Sequence, residues 1–199
     1  MQRTSWLALA LAMILGGCAP PANPPLPRTT QQERPAEERD ANARRSLDDL
    51  LELMRQRLLV QHAVARFKWH AQLSIFDAKR EQQLLEKVEE QARDRELDPG
   101  FVRTFFQAQM QAGKLVQQGD FVAWRRGDTM PPVTGPDLMT LRLQIDSLNR
   151  RLLQALKEAG SSRRNEGRTL IETRAEVILQ GQGITAEVRR AACAPLLGS

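Results

Sequence analysis

Two cationic residues, Arg57 and Lys68, interrupt a stretch of sequence that is otherwise typical of a buried helix. They are eleven positions apart, and eleven steps of about 100° return a helix to within about 20° of its starting angle. If the helix is continuous, both side chains therefore point the same way. A guanidinium and an ammonium group on one face could hold the carboxylates of an anionic ligand through charge-assisted hydrogen bonds.

Lys68 lies between two large aromatic residues, Phe67 and Trp69. Burying an ammonium group without a partner is costly, so its charge needs an explanation. The ordinary alternative is that the lysine stem lies across apolar neighbours while the charge reaches water. The aromatic side chains point to other faces of the helix. Residue chemistry alone leaves both interpretations open and favours the solvent-exposed charge.

A second polar group consists of Asp77, Arg80 and Glu81, at positions i, i+3 and i+4. This spacing would place the three side chains on a single helix face. The commonest outcome of such a pattern is an exposed ion pair that adds little to stability. Alone, the trio therefore favours an ordinary surface over a functional site.

Histidine and cysteine chemistry finds little support in this sequence. His62 and His70 would lie about 80° apart around a helix, so no shared metal site is expected. With no Cys/His cluster, we predict no metal site. Cys193 has no neighbouring base that would favour a nucleophile, and it lacks an intramolecular disulfide partner if Cys18 is used otherwise.

The charge of the chain favours a small anionic ligand over nucleic acid. The net charge is +5, but 29 basic residues are interleaved with 24 acidic ones. They form no dense basic run of the kind that binds a polyanion. We therefore expect no nucleic-acid partner.

The elements that must position these residues are predicted to be helices. Prolines are absent from 36–98, 100–130 and 137–194, which allows three long helical regions. Ser46 followed by Asp49 predicts a helix start, Asp98-Pro99 predicts a break and a new helix, and Gly160 predicts an end. Because no alternating strand pattern is present, the prediction is an all-α fold with a single helical-bundle domain.

The N-terminal residues predict export. Arg3 precedes an apolar run, 6–17, that is too short to span a bilayer comfortably. Leu15-Gly16-Gly17-Cys18 resembles the lipobox of bacterial lipoproteins, in which the cysteine is acylated; an ordinary secretory peptide is the alternative. We predict a signal peptide at 1–17, a proline-rich tether at 18–45 and a helical domain at 46–199. The expected location is periplasmic or secreted, with a lipid anchor at Cys18.

The spacing of Arg57, Lys68, Asp77, Arg80-Glu81 and Gln117 resembles the active-site pattern of the all-helical chorismate mutases, most closely their secreted subclass. The resemblance covers about residues 46 to 150. Its most specific pieces are RFKWHAQLSIFDAKREQQLL, QMQAGKLVQ and LRLQIDSLN. It implies an isomerase domain that converts chorismate to prephenate without a cofactor.

The resemblance also implies roles for individual residues. Arg57 would clamp a substrate carboxylate, Lys68 would donate to the ether oxygen and a carboxylate, and Gln117 would be the second ether-oxygen donor. Asp77, Arg80 and Glu81 would hold the substrate. Arg142 would come from a later helix of the same chain, so that each protomer of a homodimer would hold a complete site. Some family members have a glutamate at the position of Gln117, and it must be protonated to donate. Because a glutamine donates at any ordinary pH, activity should not require acid conditions.

Two departures and two alternatives accompany this resemblance. Gly113 stands where the family commonly has serine or threonine, so weaker substrate binding is expected. Cys193 cannot close the C-terminal disulfide of some secreted members. The alternatives are an enzyme like isochorismate pyruvate lyase, which shares the helical fold, and a non-enzymatic lipoprotein that binds anions.

Overall fold

The protein is described here from a computed structural model that covers residues 30–130, 132, 135–160 and 167–198. Regular structure in these ranges is entirely helical, which confirms the all-α prediction. The helices are α1 (Thr30–His70), α2 (Ala78–Arg93), α3 (Pro99–Arg125), α4 (Leu138–Glu158), α5 (Arg168–Ile178) and α6 (Ala186–Cys193), followed by a 3-10 turn (Ala194–Leu196). None of the helices in the described part of the chain is long and apolar enough to cross a membrane.

The 41-residue helix α1 is the central element of the bundle, and α3, α4 and α5 all pack against it. Its buried face begins at Leu47 and continues through Leu50, Leu51, Met54 and Leu58. This spacing gives one apolar stripe along the helix.

The predicted helix start at Ser46 is wrong, because α1 already begins at Thr30. Residues 36–45 are mostly alanine, glutamate and arginine, which are good helix formers, so the helix continues upstream. Burial nevertheless begins only at Leu47, one position after the predicted start of the domain. The domain boundaries stay a prediction, and residues 1–29, including Cys18, lie outside the described residues.

The long helical region predicted for 36–98 is in fact broken between α1 and α2. The break contains no proline; Gln72 adopts a left-handed backbone conformation with φ 54°. The Asp77 side chain then caps α2 by accepting a hydrogen bond from the backbone N–H of Arg80 at 3.1 Å. This turn brings the backbone carbonyl of Ile75 back towards α1.

The predicted break at Asp98-Pro99 is confirmed. Asp98 caps α3, its side chain accepting from the N–H of Gly100 at 2.9 Å, and Pro99 occupies the first turn. The α3 helix buries Phe105 and Phe106 in the core and contacts α1, α2 and α6. Two of the α3 neighbours, α1 and α2, carry five of the candidate site residues, and α3 itself carries two, so α3 closes one side of that site.

The C-terminal helices tie back onto this core. Arg174 on α5 donates from Nε and from one terminal nitrogen to the two carboxylate oxygens of Asp48 on α1, at 2.7 and 2.6 Å. Cys193 on α6 is a buried free thiol, and burial raises its pKa to about 12. A thiol that stays protonated in this way is a poor nucleophile.

His62 joins α1 to α3 and to the loop before α6. Its Nδ1 lies 2.7 Å from Oδ2 of Asp120, and its Nε2 lies 2.8 Å from the carbonyl oxygen of Gln182. Both partners are acceptors, so the imidazolium with two N–H donors satisfies both contacts. The hydrogen bond to Asp120 raises the pKa of His62. Gly183 fits beside the ring only as glycine, because an added Cβ would lie 2.8 Å from Cε1.

We predict that this contact makes stability depend on pH. Because the folded pKa of His62 is raised, the stabilisation is fully present below the ordinary histidine pKa of about 6.5 and is lost as pH rises through the raised value. The free energy of unfolding, measured with urea, should be about 1–2 kcal/mol lower at pH 9 than at pH 6. This difference should shrink in Asp120→Asn. An unchanged difference in that variant would contradict the assignment.

Candidate active site

A pocket lies between α1, α2, α3 and α4, and it brings together all eight residues that the sequence nominated. Two are on α1, three at the start of α2, two on α3 and one on α4. They are Arg57, Lys68, Asp77, Arg80, Glu81, Gly113, Gln117 and Arg142. Their shared location supports the spacing argument, while their individual roles remain predictions.

Arg57 is held rigidly in the floor of this pocket. Only 2% of the residue is exposed, its Nε donates to Oδ1 of Asn149 at 2.9 Å, and one terminal nitrogen donates to the carbonyl oxygen of Gln109 at 2.9 Å. Burial lowers its pKa to about 10, an effect that the nearby carboxylate of Asp146 opposes. The guanidinium is therefore charged at neutral pH.

Lys68 lies on the same face of α1, and it too is a buried residue that lines the pocket. The residue is 8% exposed, and Nζ donates to the carbonyl oxygen of Ile75 at 2.7 Å. The favoured solvent-exposed interpretation is therefore wrong, because the α1–α2 turn folds over the lysine. Burial lowers the pKa of Lys68, and the nearby Asp77 partly offsets this. The ammonium group of Lys68 has three N–H donors, and because one of them binds Ile75, two remain for a ligand.

Trp69, which follows Lys68, points away from the pocket face of α1 and packs against α3. The Trp69 ring meets Phe121 and Trp124 edge-on, with centroids 5.0 and 5.5 Å away. Such edge-to-face contacts fix the end of α1 against the end of α3.

The rim of the pocket carries three ion pairs between protein side chains. Arg80 contacts Asp146 at 2.8 Å and Arg142 contacts Asp77 at 3.0 Å. The third pair joins Glu81 to a lysine that the sequence analysis missed, Lys114, at 3.0 Å. These pairs hold the rim cations in place, whereas no carboxylate of the described residues pairs with Arg57 or Lys68.

The pocket has an excess of positive charge. Five cationic side chains line it against two carboxylates, an excess of three. The cations are Arg57, Lys68, Arg80, Lys114 and Arg142; the carboxylates are Asp77 and Glu81. A small dianion suits this surface, because opposite charge in a partly buried cleft is screened weakly. No group of His, Cys, Asp and Glu side chains in the described ranges could hold a metal ion.

Gln117 faces the pocket from α3 and contacts a further glutamine, Gln61. The Nε2 of Gln117 donates to Oε1 of Gln61 at 2.7 Å, and both residues are 5% exposed. Gln61 also lies against Gly113, where an added Cβ would sit 3.1 Å from its Cγ and Cδ. The position that lacks a family hydroxyl is thus covered by another polar side chain.

Sequence reasoning missed Gln61, Lys114, Gln109 and Asn149. Gln61 is four residues after Arg57 and so lies on the same helix face, which was a usable signal. Lys114 follows Gly113 directly, but nothing in its neighbours indicated an ion pair with α2. Gln109 and Asn149 orient Arg57 from other helices, a relation that no local spacing shows.

Comparisons with known proteins agree with this fold. The family model described as chorismate mutase type II matches residues 46–118. The secreted chorismate mutase of Mycobacterium tuberculosis is 35% identical over 155 residues, which span 77% of this chain and 72% of that protein. The secreted chorismate mutase of Mycolicibacterium smegmatis is 33% identical over 107 residues, 54% of this chain and 59% of that protein.

A solved structure shows the same architecture. The chorismate mutase from Burkholderia thailandensis superposes with a TM-score of 0.69 at 30% identity, covering 76% of this chain and 98% of that one. These matches, together with a helical bundle around a cationic pocket, place the chain among the all-helical isomerases of anionic substrates. The chain belongs to the type II chorismate mutase family, and its activity is that of a chorismate mutase.

We predict opposite effects of adding a methyl group at two glycines of α3. Gly119→Ala should stabilise the protein by about 0.5–1 kcal/mol, because nothing lies within 4 Å of the new Cβ and alanine favours a helix. Gly113→Ala should instead cost about 1–3 kcal/mol by crowding Gln61, which two hydrogen bonds hold in place. Urea unfolding measures both. Equal stabilisation by the two variants would show that Gln61 moves freely.

Proposed function

We propose that this pocket converts chorismate to prephenate by clamping both substrate carboxylates and donating to the ether oxygen. The observation that carries the proposal is the pair of buried cations, Arg57 and Lys68, with which no carboxylate of the described chain forms an ion pair. In the rearrangement a C–O bond breaks while a C–C bond forms, and negative charge grows on the ether oxygen. No nucleophile and no proton transfer are required, so holding and electrostatics suffice.

Arg57 is proposed to clamp one carboxylate. Its contacts to Asn149 and Gln109 fix the plane of the guanidinium, which leaves less rotational freedom to lose on binding. Arg142 and Arg80 are proposed to reach the substrate from the rim while Asp77 and Asp146 hold them in position. Glu81 would act with its partner Lys114.

Lys68 and Gln117 are proposed to donate to the ether oxygen. They approach from α1 and α3, so that one substrate atom could meet both donors. A donor in a water-excluded pocket is worth more than one in water, because the local dielectric is low. Gly113 offers no hydroxyl to a carboxylate, and we expect weaker substrate binding for that reason.

A single chain would hold the complete site. Arg142 reaches the pocket from α4 of the same chain that supplies Arg57 and Lys68. A homodimer, if formed, would thus carry one full site in each protomer. The isochorismate pyruvate lyase alternative is tested by supplying both substrates and measuring prephenate and salicylate.

We further propose export, because the similar mycobacterial proteins are described as secreted. On this proposal residues 1–17 are a signal peptide that directs the chain to the periplasm or outside, and Cys18 is the lipidated residue. When the full chain is expressed in a bacterial host with labelled palmitate, label should enter the wild-type protein and be absent from Cys18→Ala. Exported wild-type protein without label would support an ordinary secretory peptide instead.

Removal of the two ether-oxygen donors should abolish most turnover. We predict that Lys68→Ala and Gln117→Ala each lower kcat by about 10²–10³-fold, the usual cost of losing one preorganised donor. Lys79→Ala, an exposed lysine next to the pocket residue Arg80, is the matched control and should keep full activity. Loss of chorismate absorbance gives the rate, and circular dichroism checks folding. Wild-type rates in Lys68→Ala would refute the assignment.

Activity should change little with pH under mildly acidic conditions and should fall under alkaline conditions. Gln117 does not titrate, so no sharp loss is expected between about pH 5 and 8, where a raised carboxyl pKa would fall. In kcat/KM, which reports the free enzyme, the alkaline fall should lie below the ordinary lysine pKa, because burial lowers the pKa of Lys68. Gln117→Glu should introduce the loss between about pH 5 and 8. A wild-type enzyme active only in acid would contradict the role of Gln117.

A further inference from the structure

We propose that Gln61 is a positioning residue, which fixes the side-chain amide of Gln117 so that nitrogen, not oxygen, faces the substrate. This inference rests on the proposed role of Gln117 as a donor to the ether oxygen. It assigns a task to a residue that neither the family pattern nor its position in sequence singled out.

The orientation of Gln61 is set within α1 itself. Its Nε2 donates to the backbone carbonyl oxygen of Arg57 at 3.3 Å. A carbonyl oxygen only accepts, so the amide nitrogen of Gln61 must face it and the amide oxygen must face away. That oxygen is the atom that Gln117 contacts, at 2.7 Å.

Gln117 is consequently held in one of its two amide orientations. Its nitrogen has two N–H donors, and one of them binds Gln61. The second remains for a ligand. In the flipped orientation two amide oxygens would lie 2.7 Å apart, and the amide would present an acceptor to an ether oxygen that gains negative charge. Oε1 of Gln117 is buried and has no hydrogen-bond partner among the described residues, so Gln61 alone decides the orientation.

Gly113 provides the space that this arrangement needs. A Cβ at residue 113 would lie 3.1 Å from Cγ and Cδ of Gln61, closer than side chains normally approach. Gly113 and Gln61 are therefore a matched pair, a missing side chain on α3 and a long one on α1. The absence of a hydroxyl at Gly113 is tied to the presence of Gln61.

The same geometry explains the choice of glutamine over glutamate at position 117. A protonated glutamate has one O–H donor, whereas the side chain must serve two acceptors, Gln61 and the substrate oxygen. Glutamine has a donor for each. A protonated carboxyl group at position 117 would donate its single O–H to Gln61, which would leave no donor for the substrate.

A double-mutant cycle with Gln117 separates positioning from a merely structural role. Gln61→Leu keeps the approximate size of the side chain but removes the acceptor; we expect kcat to fall about 10-fold or more while KM changes much less. In the Gln117→Ala background, Gln61→Leu should cause no further loss, because the amide it orients is gone. Thermal unfolding of each variant reports folding, and Gln61→Met repeats the cycle if the leucine variant is unstable.

The outcomes are distinct. An undiminished kcat in Gln61→Leu, or losses that simply multiply in the double variant, would overturn the positioning role. Full turnover in Gln117→Ala would instead overturn the proposed function of Gln117, and this inference with it.

In a variant with glutamate at position 117, loss of Gln61 should raise turnover instead of lowering it. At pH 6, Gln61→Leu/Gln117→Glu should turn over chorismate faster than Gln117→Glu alone, because the glutamate proton no longer has to serve Gln61. A merely structural role for Gln61 predicts the opposite, a slower double variant.

Discussion

The charge on two buried cations is the constraint around which this protein is organised. Arg57 and Lys68 lie three helical turns apart on α1 and are almost fully removed from water. Burial opposes the charged form of both groups, and it lowers both pKa values. Each donates its hydrogen bonds to neutral acceptors of the protein, and the nearby carboxylates of Asp146 and Asp77 offset the effect of burial only in part. On the proposed function, a dianionic substrate supplies the remaining negative charge. An unbalanced charge of this kind weakens the fold but favours binding, which is a common compromise at active sites.

The other helices can be understood by what they do for these cations. The turn between α1 and α2 folds the carbonyl of Ile75 onto Lys68, and α3 and α4 provide acceptors that orient Arg57. The rim cations differ because Asp77, Asp146 and Glu81 pair with them. Substrate carboxylates would compete with those protein carboxylates at the rim but meet no competitor in the floor.

Much of this arrangement was predictable because helices have a fixed period. The eleven-residue spacing of Arg57 and Lys68 placed them on one face, and Asp98-Pro99 marked the start of α3. What failed was non-local. Residue chemistry alone favoured a solvent-exposed charge for Lys68, because no sequence pattern shows that a proline-free turn folds over it; only the family resemblance assigned that charge to a substrate site. Ser46 matches a local capping pattern, but the good helix formers upstream extend the helix past it. The partners Gln61, Asn149 and Lys114 escaped notice because each acts across a helix interface.

The most direct test of this account is the pKa of the Lys68 ammonium group, followed by NMR in protein with isotopically labelled lysine. Lys68→Arg identifies the resonance, and the titration is repeated with saturating prephenate, the dicarboxylate product. The account predicts a pKa below the ordinary lysine value in the free protein and a clear rise when prephenate binds. An ordinary pKa that does not change on binding would contradict the claim that the substrate completes the charge balance of the pocket.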